Sequence, residues 1–247
     1  MYSGKEGMPA KAHKSSSKHD YYSTLIKRFN ARWPAWVALI VVGLLYEALP
    51  PAYYWGPRGL MFGLVLVLTI PMIIFFWKGL KIMRYFGLAV NSLITIYMAG
   101  SVIRLVQAVL EGHIGPQHLL SSALVLWVTN ILVFALWYWN LDAGGPVHRE
   151  QNTGEHLTAF LFPQTQISLV GTNNLPTMIT KWKPHFIDYL FLSFNTSTAF
   201  SPTDTPVLSR WAKCMSMVQA VISLMIIVML AGRAINIISS ATSYVVS

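Results

Sequence analysis

Charge is scarce in this chain of 247 residues. Asp, Glu, Lys and Arg together make 11% of it, against about a quarter in ordinary soluble domains. Acidic side chains are the rarest, nine against eighteen lysines and arginines. No two of the nine stand where they would pair for general acid–base work. Cysteine is nearly missing. Cys214 alone excludes an intrachain disulfide and a cysteine metal cluster, and its place in an apolar run reads as a small buried hydrophobe. The seven histidines are scattered, without metal-ligand spacing on one helix face. Glycine-rich phosphate loops and nucleophile elbows are lacking. The sequence thus points to no catalytic residue, no cofactor and no metal, and it weighs against an enzyme.

What is there is apolar. Hydrophobic residues make 54% of the chain and the mean hydropathy is +0.50. They come in long continuous runs, at 33–49, 59–77, 85–110, 119–140 and 207–238. Only helices and closed barrels satisfy every backbone group in lipid, and these runs lack the alternation of barrel strands. The expected fold class is all-α, a polytopic transmembrane helical bundle. The first run spans about 25 Å as a helix, marginal for a hydrocarbon core of ~30 Å. Pro71 predicts a kink in the second. Trp33, Trp36, Trp55, Trp77, Trp137, Trp139, Trp182 and Trp211 fall near run ends, where amphipathic rings settle at the interface. Only Trp127 reads as internal. No cleavable leader is expected, because the first run follows a long polar segment.

Four regions follow. Residues 1–32 read as a basic disordered arm with a short interfacial helix at 21–29. Residues 33–140 are a four-span bundle. Residues 141–184 are an extramembrane connection holding an apolar island, Phe160-Leu161-Phe162-Pro163, and the segment is expected to pack on the membrane-facing surface and not to form a domain. Residues 185–247 hold a short apolar helix, a polar loop and a long last span. The stretch 185–200 reaches only about 22 Å as a helix. It is either a thin span, giving six crossings, or a re-entrant half-helix, giving five.

The formal net charge is +9. The basic residues gather in the arm and at span ends, so the expected partner is the bilayer, with anionic lipids at the arm, and not nucleic acid. Lys5, Lys11, Lys14, Lys18, Lys27, Arg28 and Arg32 precede the first span, and Lys78, Lys81 and Arg84 follow the second. The positive-inside rule puts the N-terminus in the cytoplasm.

Ionisable groups inside spans are functional candidates by default. Glu47 near the end of the first span and Arg104 in the third fall in one leaflet half, which predicts an ion pair. Two side chains snorkelling separately is the competing reading. On the last helix Ser216, Gln219 and Ser223 share one face. That face lines an aqueous path or makes interhelical hydrogen bonds. Asp204 or Ser209 is expected to cap the last helix.

The stretch 188–236, with its core at 194–210 and Arg233-Ala234-Ile235-Asn236 at its end, resembles the C-terminal part of an uncharacterised family of bacterial multi-pass inner-membrane proteins. Phe160-Leu161-Phe162-Pro163-Gln164 looks like the same family. More distantly, 185–247 resembles the two-helix pore module of potassium-type channels. That resemblance implies a half-helix ending at Thr196, Ser197 and Thr198 and a pore loop carrying Ser201 and Asp204. It also implies a homo-oligomer, a tetramer. The chain departs from the module where the filter glycines would stand. Pro202 there resists a carbonyl ladder, so the implied pore is not potassium-selective. Two functions are expected: a channel-like or transport protein of a bacterial plasma membrane, from irregular polar backbone at membrane depth, or an accessory subunit without its own path, from the absence of a chain of intramembrane charges.

Overall fold

The computed structural model describes residues 11–50, 53, 57, 59–77, 83–111, 116–151, 158–170, 182–198 and 204–246. Among these the architecture is all-α. The helices are α1 (Lys11–Glu47), α2 (Leu60–Trp77), α3 (Met83–Glu111), α4 (Pro116–Leu141), α5 (Pro146–Gln151), α6 (Pro163–Val170), α7 (Phe186–Thr198) and α8 (Arg210–Val246). A 3₁₀ turn at Asp142–Gly144 follows α4. Three stretches are long and apolar enough to cross a membrane: Arg84–Glu111, His118–Gly144 and Arg210–Gly232. The apolar part of α2, Leu60–Ile74, is shorter. Pro71 lies inside α2 without ending it.

The described helix ends have local causes. After α4, Ala143 takes φ 46°, Gly144 79° and Gly145 92°, and Pro146 follows. Left-handed residues and then a proline end a helix sharply. The start of α7 is a capping arrangement: the His185 N–H donates to the Asp188 carboxylate at 2.7 Å, three residues on. The start of α8 is capped by Ser209, whose Oγ accepts the Ala212 N–H at 3.3 Å. Of the two residues expected to cap α8, Ser209 is therefore the one that does so.

α4 is the central helix and packs on α1, α3, α7 and α8. Pairwise contacts fix the directions. Trp137 in α4 donates to Thr95 in α3 at 2.8 Å, and Gly87, early in α3, lies beside the Asn140 amide. Met72, late in α2, reaches Gly87. Tyr46, late in α1, meets Tyr97 edge-on. So α1 and α3 run one way, and α2 and α4 run the other. α2 and α4 finish, and α3 begins, at the end of the bundle that holds Asp142.

α7 and α8 both start at that same end. Phe186 meets Trp139, and Phe194 meets Trp127, edge to face, which makes α7 antiparallel to α4 and stops it partway along. Tyr138 reaches Gln219, and Asn130 reaches Ser223, which makes α8 antiparallel to α4 as well. Between α7 and α8 the chain is back where it entered. Val207 forms a β-bridge with Phe160, and the Phe160 ring touches Tyr189 in α7 and Trp211 in α8. The 13 residues of α7, about 20 Å of helix, enter the bundle without traversing it. Of the two readings open in the sequence, this course within the bundle is the one that the half-helix reading expects.

Two expectations need correction. α1 runs unbroken from Lys11, so no helix boundary separates the arm from the first apolar run. The apolar island of the connecting segment packs inward. Phe160 and Phe162 are buried among Tyr138, Tyr189, Trp182 and Trp211, because this is where their rings leave water. Cys214 is exposed. It shares its stripe with Met217, Val218, Val221 and Leu224, all turned out of the bundle, opposite the polar face of α8.

Candidate functional site

α4, α7 and α8 enclose a cluster of uncharged polar side chains at mid-height. Gln219 is its centre and is completely buried. Its Nε2 lies 2.8 Å from the Ser193 carbonyl, 2.7 Å from Ser193 Oγ and 2.8 Å from Ser197 Oγ. Its Oε1 accepts the Tyr138 hydroxyl at 2.6 Å. Asn130 Nδ2 donates to Ser223 Oγ at 2.8 Å, and Ser193 Oγ donates to the Ile131 carbonyl at 2.7 Å. Ser216 is the outlying member, 3.3 Å from the Tyr138 hydroxyl. Helical spacing places Gln219 and Ser223 one turn apart, so both face the same neighbouring helix.

The polar face read from α8 is therefore real, and it makes interhelical hydrogen bonds within one chain. Asn130 and Tyr138, the α4 half of the cluster, were not legible. Each sits in an apolar run, and its partner lies 93 positions away for Asn130 and 81 for Tyr138.

The pore-loop candidates divide. Ser197 belongs to the cluster. Thr196 is buried and donates to the Leu192 carbonyl at 2.9 Å. Thr198 is exposed and donates to the Phe194 carbonyl at 3.0 Å. Asp204 is exposed, and Ser201 lies outside the described residues. The other intramembrane candidates sit elsewhere. Glu47 lines a small cleft with Tyr46, Met61 and Tyr97. Arg104 is on the outward face of α3, two turns beyond Tyr97.

A second polar centre was not foreseen. Asp142 is fully buried. One carboxylate oxygen accepts the Ala159 N–H and the other the Tyr189 hydroxyl, both at 2.6 Å. Its carbonyl accepts from Arg149 at 2.6 Å and from the Gly145 N–H at 2.8 Å. The Arg149 guanidinium lies 5.1 Å from the centre of the Tyr189 ring. The Leu161 N–H donates to the Pro206 carbonyl, and the Leu208 N–H to the Ala159 carbonyl. Asp142 thereby joins the end of α4, the first turn of α7 and the segment leading into α8. The residues stand far apart in sequence, and each alone reads as an interfacial polar group.

No protein-family model matches the chain, and no curated protein or solved structure does either. The functional reading therefore rests on the geometry of these two centres and on the half-helix between them.

Proposed function

We propose that the chain is a multi-pass protein of a bacterial-type plasma membrane, and that it works as a channel-like or transport protein around the tip of its re-entrant half-helix. The observation that carries this reading is the course of α7, which stops at mid-height while the chain returns to the end it came from. A helix that ends inside a bilayer leaves its last carbonyls unsatisfied. Lipid-exposed irregular backbone is not tolerated there, but backbone lining a water-filled cavity or covered by protein is. Thr198, at the tip, is exposed on the single chain. The surface that completes the tip is then another copy, as in a symmetric homo-oligomer, with a tetramer the arrangement that the pore-module resemblance implies. The basic arm and the Lys78, Lys81 and Arg84 group put the Asp142 end in the cytoplasm and give anionic lipids their contact. Five crossings result, those of α1 to α4 and α8.

One observation favours the accessory reading. The polar face of α8 is used up inside the chain, and its outward stripe is apolar, with Met217, Val221 and Val228 more than half exposed. Proteoliposomes separate the two. Transport predicts ion flux that is lost when cysteines at Thr198, Ser201 or Asp204, in a Cys214→Ala background, react with an impermeant thiol reagent. Labelling should fall on a periodic subset of 199–205. No flux, with uniform labelling across that segment, would leave the accessory subunit as the reading.

A further inference from the structure

The Asp142 centre lies outside the proposed path but holds the element that forms it. Its carboxylate faces hydrogen-bond donors: the Ala159 N–H, the Tyr189 hydroxyl and the Ala143 N–H. The nearby Asp142 carbonyl is already taken by Arg149 and Gly145. A carboxylate accepts at both oxygens, whereas a protonated carboxyl must place its own O–H. Here two of the three partners are N–H groups that only donate, and the Tyr189 hydroxyl can take that hydrogen only by turning away the one it now gives. We propose that Asp142 is a proton-operated latch on the re-entrant half-helix: charged, it holds Tyr189 and the base of α7 against the end of α4, and protonation from the cytoplasmic end weakens that hold.

The consequences follow from connectivity. Tyr189 is in the first turn of α7, and Thr198 is its last residue. A rigid half-helix loosened at its base shifts at its tip. The same carboxylate holds Ala159, whose carbonyl binds the Leu208 N–H just ahead of α8, so both flanks of the returning segment loosen together. Other charged groups surround the latch. Arg149 and His148 come from α5, and His148 packs on Gly144. Arg84 comes from α3, beside Gly145. Asp188 is next to Tyr189 on α7, and Lys183 donates to the Arg149 carbonyl at 2.9 Å. Arg149 and Arg84 keep their protons throughout, as guanidiniums do in proteins, so neither supplies a response to pH. Histidine is the side chain that most often senses pH in this range, so His148 is the competitor to be excluded.

The latch rests on the re-entrant course of α7 and not on transport, so its test is read without flux. Thr198→Cys in the Cys214→Ala background, in the full chain in proteoliposomes, is labelled by a thiol reagent at about pH 5 and about pH 8. The Asp142→Asn form of the same protein supplies the pH dependence of the thiol itself. Relative to that reference, labelling should rise roughly fivefold on acidification, the size of one lost hydrogen bond. Tyr189→Phe should raise labelling at the higher pH, and His148→Gln should keep the acid response. Identical pH profiles for the Asp142→Asn form and its parent would overturn the latch, as would loss of the response in His148→Gln. Should Asp142→Asn fail to fold, Tyr189→Phe decides: unchanged labelling at the higher pH overturns the proposal.

Discussion

Gln219→Leu should cost the protein about 3 kcal/mol of stability in detergent, as several buried polar groups lose partners worth ~1–3 kcal/mol each. The side chain is close to leucine in volume, so packing is largely kept while the amide is lost. Ser197 Oγ loses its Gln219 contact, and the Tyr138 hydroxyl loses its closest acceptor, at 2.6 Å. Both residues are completely buried, so water cannot replace the amide. Single interhelical hydrogen bonds in membranes average only about 0.6 kcal/mol. The large effect expected here comes from stranding several groups at once. Titration with a denaturing detergent measures it. The double variant Gln219→Leu/Tyr138→Phe should lose less than the sum of its singles, because Phe leaves no hydroxyl stranded. A loss below about 0.5 kcal/mol for Gln219→Leu, the size of an ordinary surface substitution, would mean that the cluster does not hold α7 to α8.

Gly145→Ala should also be strongly destabilising, by roughly 1–3 kcal/mol for backbone strain alone. Gly145 has φ 92° and ψ 173°, a region that essentially only glycine occupies. A Cβ there would come within 2.8 Å of the Asn140 carbonyl oxygen, which belongs to backbone and cannot swing away. The turn it breaks is the one that positions Asp142 and Arg149, so Tyr189 should lose its anchor as well. Gly63→Ala in α2 is the matched control. A Cβ at Gly63 meets nothing within 4 Å, and alanine is the better helix former. The first variant should unfold at lower denaturant and the second should not. Equal behaviour of the two would contradict the strained turn.

How much of this was legible follows from the range of each signal. The apolar runs place α2, α3 and α4 within a few residues of their observed ends, because burying a helix in lipid takes a continuous run. The polar face at Ser216, Gln219 and Ser223 could be read because helical spacing is local. Its partners Asn130, Ser193 and Tyr138 could not, since pairing across helices leaves no trace in either run. Cys214 was misplaced for a related reason. An apolar helix in lipid carries hydrophobic residues on both faces, so hydrophobicity does not say which way a side chain turns. The course of α7 was undecidable from its own short stretch. It is fixed by the Phe160–Val207 bridge and the Asp142–Tyr189 hydrogen bond, contacts between segments far apart in the chain.

The re-entrant course of α7 is tested most directly by the sides on which the two termini lie. α1 and α8 both start at the Asp142 end, while α7 contributes no crossing. Dual reporters fused at the N-terminus and after residue 247, one active only in the cytoplasm and one only outside it, read this in intact cells. The account predicts a cytoplasmic N-terminus and a C-terminus on the opposite face. Both termini in the cytoplasm would mean that residues 185–200 cross, and would contradict it.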